Sequence, residues 1–120
     1  MKPKIDDTGF GSITVEGNRY EHDVIIRLSC KVCRRKKSLS KAIYGTSHTI
    51  SLAEIEELHR PKAERVIIGT GQEDQVRLSK EATDFLAEHR CQVDLWPTAK
   101  AIKKWNEAEG KVLGLFHVTC

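Results

Sequence analysis

The chain has 120 residues, about the length of one domain and enough to bury one hydrophobic core. Hydrophobic residues make up 39% and charged residues 31%, so the composition is typical of a globular protein and excludes a disordered chain. Without a run of about 18 apolar residues or the apolar segment of a secretory signal, we expect a cytoplasmic protein with no membrane partner, whose four cysteines are thiols.

The first third of the chain predicts β-structure. Ile13 and Val15 alternate with polar residues, as in a half-buried strand. Gly17-Asn18 then predicts a type II′ hairpin turn, because glycine accepts the positive φ that this turn needs. The return strand is expected to run through Tyr20 into the apolar run Val24-Ile25-Ile26. A further reversal near Cys30 predicts a short edge strand around Val32-Cys33-Arg34.

A basic segment follows this edge strand. Between Cys30 and Lys41 there are six cations and no acid, although the net charge of the chain is only +3. The candidate basic contact surface consists of Arg34, Arg35, Lys36 and Lys37. These residues could dock an acidic partner or only solvate an edge. No aromatic side chain is interleaved with them, which argues against a nucleic-acid partner.

The rest of the chain predicts a helix followed by strands and helices in βαβαβ order. Ser51 and Glu54 form a capping box at the start of a helix that ends before Pro61. Ser79 and Thr98 are expected to cap two later helices. Buried strands are predicted at 65–68, 92–95 and 111–118. We expect these three strands to be neighbours in one sheet, with at least partly parallel pairing.

Parallel strands would place a candidate cleft at the edge of the sheet where they end. Gly69-Thr70-Gly71 is similar to a dinucleotide-binding turn, but the third glycine of that motif is replaced by Asp74, which would repel phosphate. A tight turn is the favoured interpretation. The candidate cleft is lined by Gly69, Thr70, Gly71, Thr98, His117 and Thr119. It depends on the direction of the final strand, because an antiparallel strand would carry His117 to the opposite edge.

The cysteines are not expected to bind metal. Cys30 and Cys33 have the spacing of a metal knuckle, but a structural zinc site needs a second close pair and none is present in the sequence. A redox pair would stand at a helix start, whereas this one is predicted in a hairpin. We therefore expect unremarkable thiols, no metal and no cofactor.

Several segments together resemble one small family of uncharacterised domains, named after a methanogen protein. They are Phe10-Gly11-Ser12-Ile13-Thr14-Val15-Glu16-Gly17, Tyr20-Glu21-His22-Asp23-Val24, Val66-Ile67-Ile68-Gly69-Thr70-Gly71, Pro97-Thr98-Ala99-Lys100-Ala101 and His117-Val118-Thr119-Cys120. The adipogenesis-associated domain protein and a mitochondrial complex I assembly factor are similar to this family. The resemblance implies an α/β fold with a mixed central sheet, flanking helices and an added N-terminal β-hairpin layer.

The resemblance does not imply a particular reaction or cofactor, because none is established for the family, and its eukaryotic members imply a role in protein assembly. We therefore expect a single α/β domain over residues 1–120 that acts as a non-catalytic binding or assembly module with a protein partner. The alternative is a small-ligand-binding protein or enzyme that uses the candidate cleft.

Overall fold

A five-stranded mixed sheet forms the centre of the fold, and the computed structural model describes residues 2–120. Within these residues the strands are β1 (Ile5–Gly9), β2 (Ser12–Val15), β3 (Asn18–Tyr20), β4 (Val24–Ile26), β5 (Val32–Arg34), β6 (Thr49–Ile50), β7 (Arg65–Thr70), β8 (Arg77–Leu78), β9 (Gln92–Trp96) and β10 (Val112–His117). The helices are α1 (Ser38–Tyr44), α2 (Leu52–Leu58), α3 (Lys80–Glu88) and α4 (Thr98–Glu107). None of these helices is long and apolar enough to cross a lipid bilayer.

The central sheet has the strand order β5-β4-β10-β7-β9. Strand β10 pairs parallel with β7, which in turn pairs parallel with β9. On its other side β10 pairs antiparallel with β4. The prediction that β7, β9 and β10 are neighbours is confirmed, and their carboxyl ends lie at one edge of the sheet. The predicted α/β class with a mixed sheet is also confirmed.

The apolar side chains of the central strands alternate between two cores, one on each face of the sheet. In β7, Val66 and Ile68 belong to one core and Ile67 to the other. Helices α2 and α3 complete the first core, with Ile55, Leu58, Ala82 and Leu86. Helix α4 and the N-terminal strands complete the second, with Ile13, Val15, Ala101 and Trp105. Each fully buried Val, Leu or Ile side chain contributes about 1.5–3 kcal/mol, so the two cores fix the layers.

The N-terminal layer is an antiparallel three-stranded sheet in the order β1-β2-β3. The predicted hairpin is present, but its turn lies one residue earlier than predicted. Glu16 and Gly17 both have positive φ, 48° and 79°, which is the type I′ pattern, and Val15 pairs with Asn18. The predicted return strand is also wrong as one element, because β3 and β4 belong to different sheets and the chain passes between them at Glu21–Asp23.

The helix starts confirm two of the three predicted caps. Ser51 accepts a hydrogen bond from the Glu54 N–H (3.1 Å), and Ser79 accepts one from the Ala82 N–H (3.1 Å). The prediction for Thr98 is wrong, since Pro97 is the N-cap of α4 and makes no side-chain cap. Thr98 is instead the first helical residue, and its hydroxyl bonds outside the helix.

Candidate functional site

A buried ion-pair cluster around Arg35 lies beside the central sheet. Arg35 Nη1 lies 3.0 Å from Asp23 Oδ2, and its Nε lies 2.6 Å from Glu54 Oε2. Its Nη2 donates to Glu54 Oε1 (3.1 Å) and to the carbonyl oxygen of Ser47 (2.8 Å). The Arg35 side chain is 0% exposed, so the prediction that it belongs to a basic contact surface is wrong. The backbone of Arg35 is held next to Asp23, because the Arg35 N–H donates to the Asp23 carbonyl oxygen (3.1 Å) and continues the β4–β5 pairing by one residue.

Glu54 connects this cluster to helices α1 and α2. The predicted capping box is only half present, because the Glu54 carboxylate leaves the helix start and binds Arg35. The Ser40 hydroxyl donates to Glu54 Oε1 (2.5 Å) and accepts from the Ser51 N–H (2.9 Å). Helix spacing could have revealed this role, since Ser51, Glu54, Ile55 and Leu58 share the buried face of α2. A carboxylate on that face needs a buried cation.

Asp23 joins the cluster to the end of β10. His117 Nδ1 lies 2.7 Å from Asp23 Oδ2, and the Val118 N–H donates to Asp23 Oδ1 (2.9 Å). Burial alone would raise the pKa of Asp23. The hydrogen bond and charge of His117, the Val118 N–H and the charge of Arg35 outweigh burial and lower this pKa to about 2. Asp23 is therefore ionised, and its carboxylate holds His117 and the Val118 N–H in place.

Asp23, His117 and Thr119 have the connectivity of a catalytic triad. Thr119 Oγ1 lies 3.1 Å from His117 Nε2, on the opposite side of the ring from Asp23. A triad also needs backbone donors for the oxyanion that forms next to the hydroxyl. The N–H groups of Gln72 and Glu73 face this chain end, but they donate to the carbonyl oxygens of Thr119 and Cys120. The contacts therefore tie the chain end to the sheet.

The six residues of the predicted cleft do meet at one sheet edge, which we call the strand-end seam. The Thr98 hydroxyl donates to the His117 carbonyl oxygen (2.6 Å) and accepts from the Gly71 N–H (2.9 Å). Thr70 donates to Asp74 Oδ1 (2.5 Å). A Cβ on Gly69 would lie 2.8 Å from Thr98 Oγ1, so backbone and side chain are in contact there. These polar groups bind one another, and the seam is packed rather than an open crevice.

The exposed cations stand on and before α1. Arg34 and Lys36 are exposed and Lys37 is half-exposed, and Lys41 adds a fourth cation. None of these four forms an ion pair with a carboxylate within residues 2–120. Two large apolar side chains of α1 are also exposed, Ile43 (60%) and Tyr44 (39%). We call the set Arg34, Lys36, Lys37, Lys41, Ile43 and Tyr44 the α1 surface.

The cysteines lie in three places. Cys30 lies in the turn before β5 and Cys33 within β5, Cys91 is buried before β9, and Cys120 lies beside Gly71. All four are free thiols, and burial raises the pKa of Cys91. Within residues 2–120 no three His, Cys, Asp or Glu side chains are grouped as metal ligands. The absence of bound zinc stays a prediction.

Comparison with known proteins adds a family and a set of similar structures. The model of a family of proteins of unknown function, DUF498/DUF598, matches residues 5–117. A conserved hypothetical protein of Pyrococcus horikoshii OT3, PH1505, is 30% identical with a TM-score of 0.91, over 98% of this chain and 99% of that one. The solved protein MT938 is 33% identical with a TM-score of 0.85, over 99% and 100% of the two chains.

A more distant structure shares the fold alone. A Mth938-like domain protein of Bordetella pertussis, solved in solution, is 19% identical with a TM-score of 0.65, over 97% of this chain and 85% of that one. No curated protein matches the chain.

Proposed function

We propose a docking function for this chain, which belongs to the DUF498/DUF598 family of proteins of unknown function. In this proposal the chain is a non-catalytic module that binds an acidic segment of a partner protein. The docking site is the α1 surface. One observation carries this proposal. Four cations without an ion pair and two exposed apolar side chains lie together on α1 and the residues just before it.

The helix spacing supports a shared contact face. Lys37, Lys41 and Tyr44 are four and three residues apart, so they form one stripe along α1. Of the residues of α1, only Ser40 is fully buried, and its hydroxyl bonds to Glu54. A helix that gives so little apolar surface to its own core leaves Ile43 and Tyr44 free for another protein.

The charge of the surface selects the partner. Four cations with no neighbouring ion pair attract an acidic segment and raise its rate of association, while Ile43 and Tyr44 supply the apolar contact that slows release. An acidic segment with apolar residues among its carboxylates fits both requirements. A nucleic acid would use the cations but would gain little from Ile43.

The test compares three proteins as affinity baits in a cell extract: wild type, an α1 variant and a control variant. The α1 variant has four residues changed to Gln: Arg34, Lys36, Lys37 and Lys41. The control variant has four cations elsewhere changed to Gln: Lys4, Lys80, Arg90 and Lys103. Both variants keep their stability within about 0.5 kcal/mol per site, because the changed residues are exposed or half-exposed. Mass spectrometry identifies a partner, whose affinity for each bait is then measured with purified protein at two salt concentrations.

The proposal expects an acidic partner that binds wild type and control alike and binds the α1 variant at least about tenfold more weakly, with the difference shrinking in high salt. Ile43→Ser should weaken the same complex without changing its salt dependence. Equal binding to all three baits, or co-purification of nucleic acid in place of protein, would overturn the proposal.

A further inference from the structure

Strand β9 forms an open edge of the central sheet, because it pairs with β7 and with no other strand of residues 2–120. The Gln92 N–H donates to the Glu64 carbonyl oxygen (2.9 Å), so the backbone groups of Gln92 point toward β7. Successive residues of a strand in a parallel pair point these groups alternately toward the partner strand and away from it. The N–H and carbonyl groups of Val93 and Leu95 therefore point out of the sheet, and no turn or loop backbone of residues 2–120 bonds to them.

The side chains of β9 do little to protect this edge. Leu95 is 42% exposed, and Gln92 is exposed as well. Proteins usually protect an edge strand with cations, proline, a bulge or a covering segment. The opposite edge strand, β5, has such protection, since it ends at the exposed Arg34 and leads into further cations. The single charge of β9 is Asp94, and its Oδ2 lies 3.6 Å from the Nε of Arg65. The edge of β9 is therefore free to accept another strand.

The residue types of β9 make it complementary to a reversed copy of itself. Gln92 Nε2 lies 3.2 Å from Asp94 Oδ1, so an amide donor and a carboxylate acceptor share one face of the strand with Val93 between them. When two copies run antiparallel about a two-fold axis at Val93, Gln92 of each copy lies directly opposite the partner's Asp94. Donor then meets acceptor on both sides of the axis.

Two other registers would also pair the outward backbone groups, and the residue types disfavour both. An axis at Asp94 would place the two Asp94 carboxylates directly opposite each other, and like charges in that position destabilise a strand pair. An axis at Leu95 would place Val93 opposite the partner's Pro97. Proline has no N–H, and the Pro97 carbonyl oxygen already accepts hydrogen bonds from the first turn of α4. The axis at Val93 is therefore the favoured register.

We propose that two copies of this chain associate through β9, antiparallel about a two-fold axis at Val93, so that their central sheets join into one. The Val93 N–H and carbonyl groups bond to those of the partner's Val93. Each Leu95 N–H donates to the carbonyl oxygen of the partner's Cys91, and the exposed Leu95 side chain packs beside that residue. The other end of each sheet is β5, which leads into α1, so the dimer leaves the α1 surface of both copies free.

Sedimentation velocity on the purified full chain tests the association. One short strand from each copy buries less than the roughly 1,200–2,000 Å² of a stable interface, so we expect a weak dimer with a Kd between about 1 µM and 1 mM. Val93→Pro should leave only monomer over this concentration range, because it removes the N–H at the axis. The edge tolerates proline there, since that N–H points out of the sheet.

Charge changes at Gln92 test the register. Gln92→Lys places a cation opposite the partner's Asp94 and should tighten the dimer, whereas Gln92→Asp places a second carboxylate there and should weaken it. Each change should alter the Kd by about two- to thirtyfold, because the cross-strand pair occurs twice in the dimer. Gln75→Lys and Gln75→Asp are the matched controls, since Gln75 is exposed and lies outside β9, and they should leave the Kd unchanged.

Hydrogen exchange locates the contact in the wild-type protein. Raising the protein concentration past the Kd should slow exchange of the Val93 and Leu95 amides, whereas the Gln92 amide is already bonded to Glu64 in the monomer. The inference is wrong if the chain stays monomeric up to about 1 mM, or if Val93→Pro dimerises like wild type. It is also wrong if the Gln92 variants match the Gln75 variants, or if the Val93 and Leu95 amides exchange equally fast at low and high concentration. If Val93→Pro does not fold, the Gln92 variants decide.

Discussion

Replacing Arg35 by methionine should be among the most damaging single changes in this chain. Methionine fills much of the space of the arginine stem but carries no charge and no donor. The change leaves the Asp23 and Glu54 carboxylates buried without the cation that now lies between them. It also leaves the Ser47 carbonyl without its 2.8 Å donor.

The size of the loss follows from these contacts. Removing one partner of a buried ion pair costs about 3–5 kcal/mol, because the remaining charge stays desolvated. Glu54 loses its only ion-pair partner here, while Asp23 keeps His117 and the Val118 N–H, so the expected loss lies within that range and comes mainly from Glu54. A domain of this size has a free energy of unfolding of about 5–15 kcal/mol, so Arg35→Met removes a large part of it.

Urea denaturation followed by circular dichroism measures the free energy of unfolding. Arg34→Met is the matched control, because Arg34 is the adjacent residue and is exposed. Adding Glu54→Gln to Arg35→Met should recover part of the loss by removing one uncompensated charge. Arg35→Lys, which keeps the charge without the fork-shaped donor set, should fall between the wild type and Arg35→Met.

Three outcomes would refute the reasoning. Arg35→Met could lie within about 0.5 kcal/mol of wild type, which is the range for an exposed residue. It could match Arg34→Met. The double variant with Glu54→Gln could be less stable than Arg35→Met alone. If Arg35→Met does not fold, Arg35→Lys and its Glu54→Gln combination test the same coupling.

Two further predictions concern the end of β10. The pKa of Asp23 is about 2 in the folded protein against an ordinary 3.8, so its ionised form contributes about 2 kcal/mol to the free energy of unfolding above pH 4. This contribution is lost as the pH falls from 4 toward 2. Urea midpoints measured across this range should therefore fall more steeply for wild type than for Asp23→Asn, and equal slopes would contradict the assignment. Gly71→Ala should cost more than about 1 kcal/mol in the same assay, because φ is +104° and the new Cβ would overlap the Cys120 carbonyl group, whereas Gly11→Ala, with φ of +85° and no atom within 4 Å, should cost less.

The sheet could be predicted from the sequence because its signals are local and repeated. Strand β7 is a run of apolar residues whose side chains alternate between two cores. Ser79 indicates the start of α3, because serine is a residue type that commonly caps helix N-termini. The parallel neighbours follow from short helical connections. The hairpin turn lies one residue away from its predicted place because Glu16 adopts a positive φ, a conformation that its residue type does not favour.

The candidate site could be predicted only in part. The meeting of Thr98, His117 and Gly71 follows from strand direction, but their mutual hydrogen bonds depend on atomic distances that the sequence does not contain. Arg35 stands in a run of four cations with nothing local to distinguish it. Its burial depends on Asp23 and Glu54, which are 12 and 19 residues away. Helix spacing places Glu54 on a buried face, but no local pattern assigns either carboxylate to Arg35.

The position of β10 determines when the central sheet can form during synthesis. Among the strands of residues 2–120 it is the last to be synthesised, yet it lies in the middle of the central sheet between β4 and β7. Until residues 112–117 leave the ribosome, β4 and β7 have no strand to join them, and their apolar edges stay open to other chains. Contacts between residues 24–26 and 114–116 also close a very long loop, which slows folding. A chain that ends before residue 112 therefore holds the central sheet only as two separate strand pairs, β5–β4 and β7–β9, each with an unpaired edge.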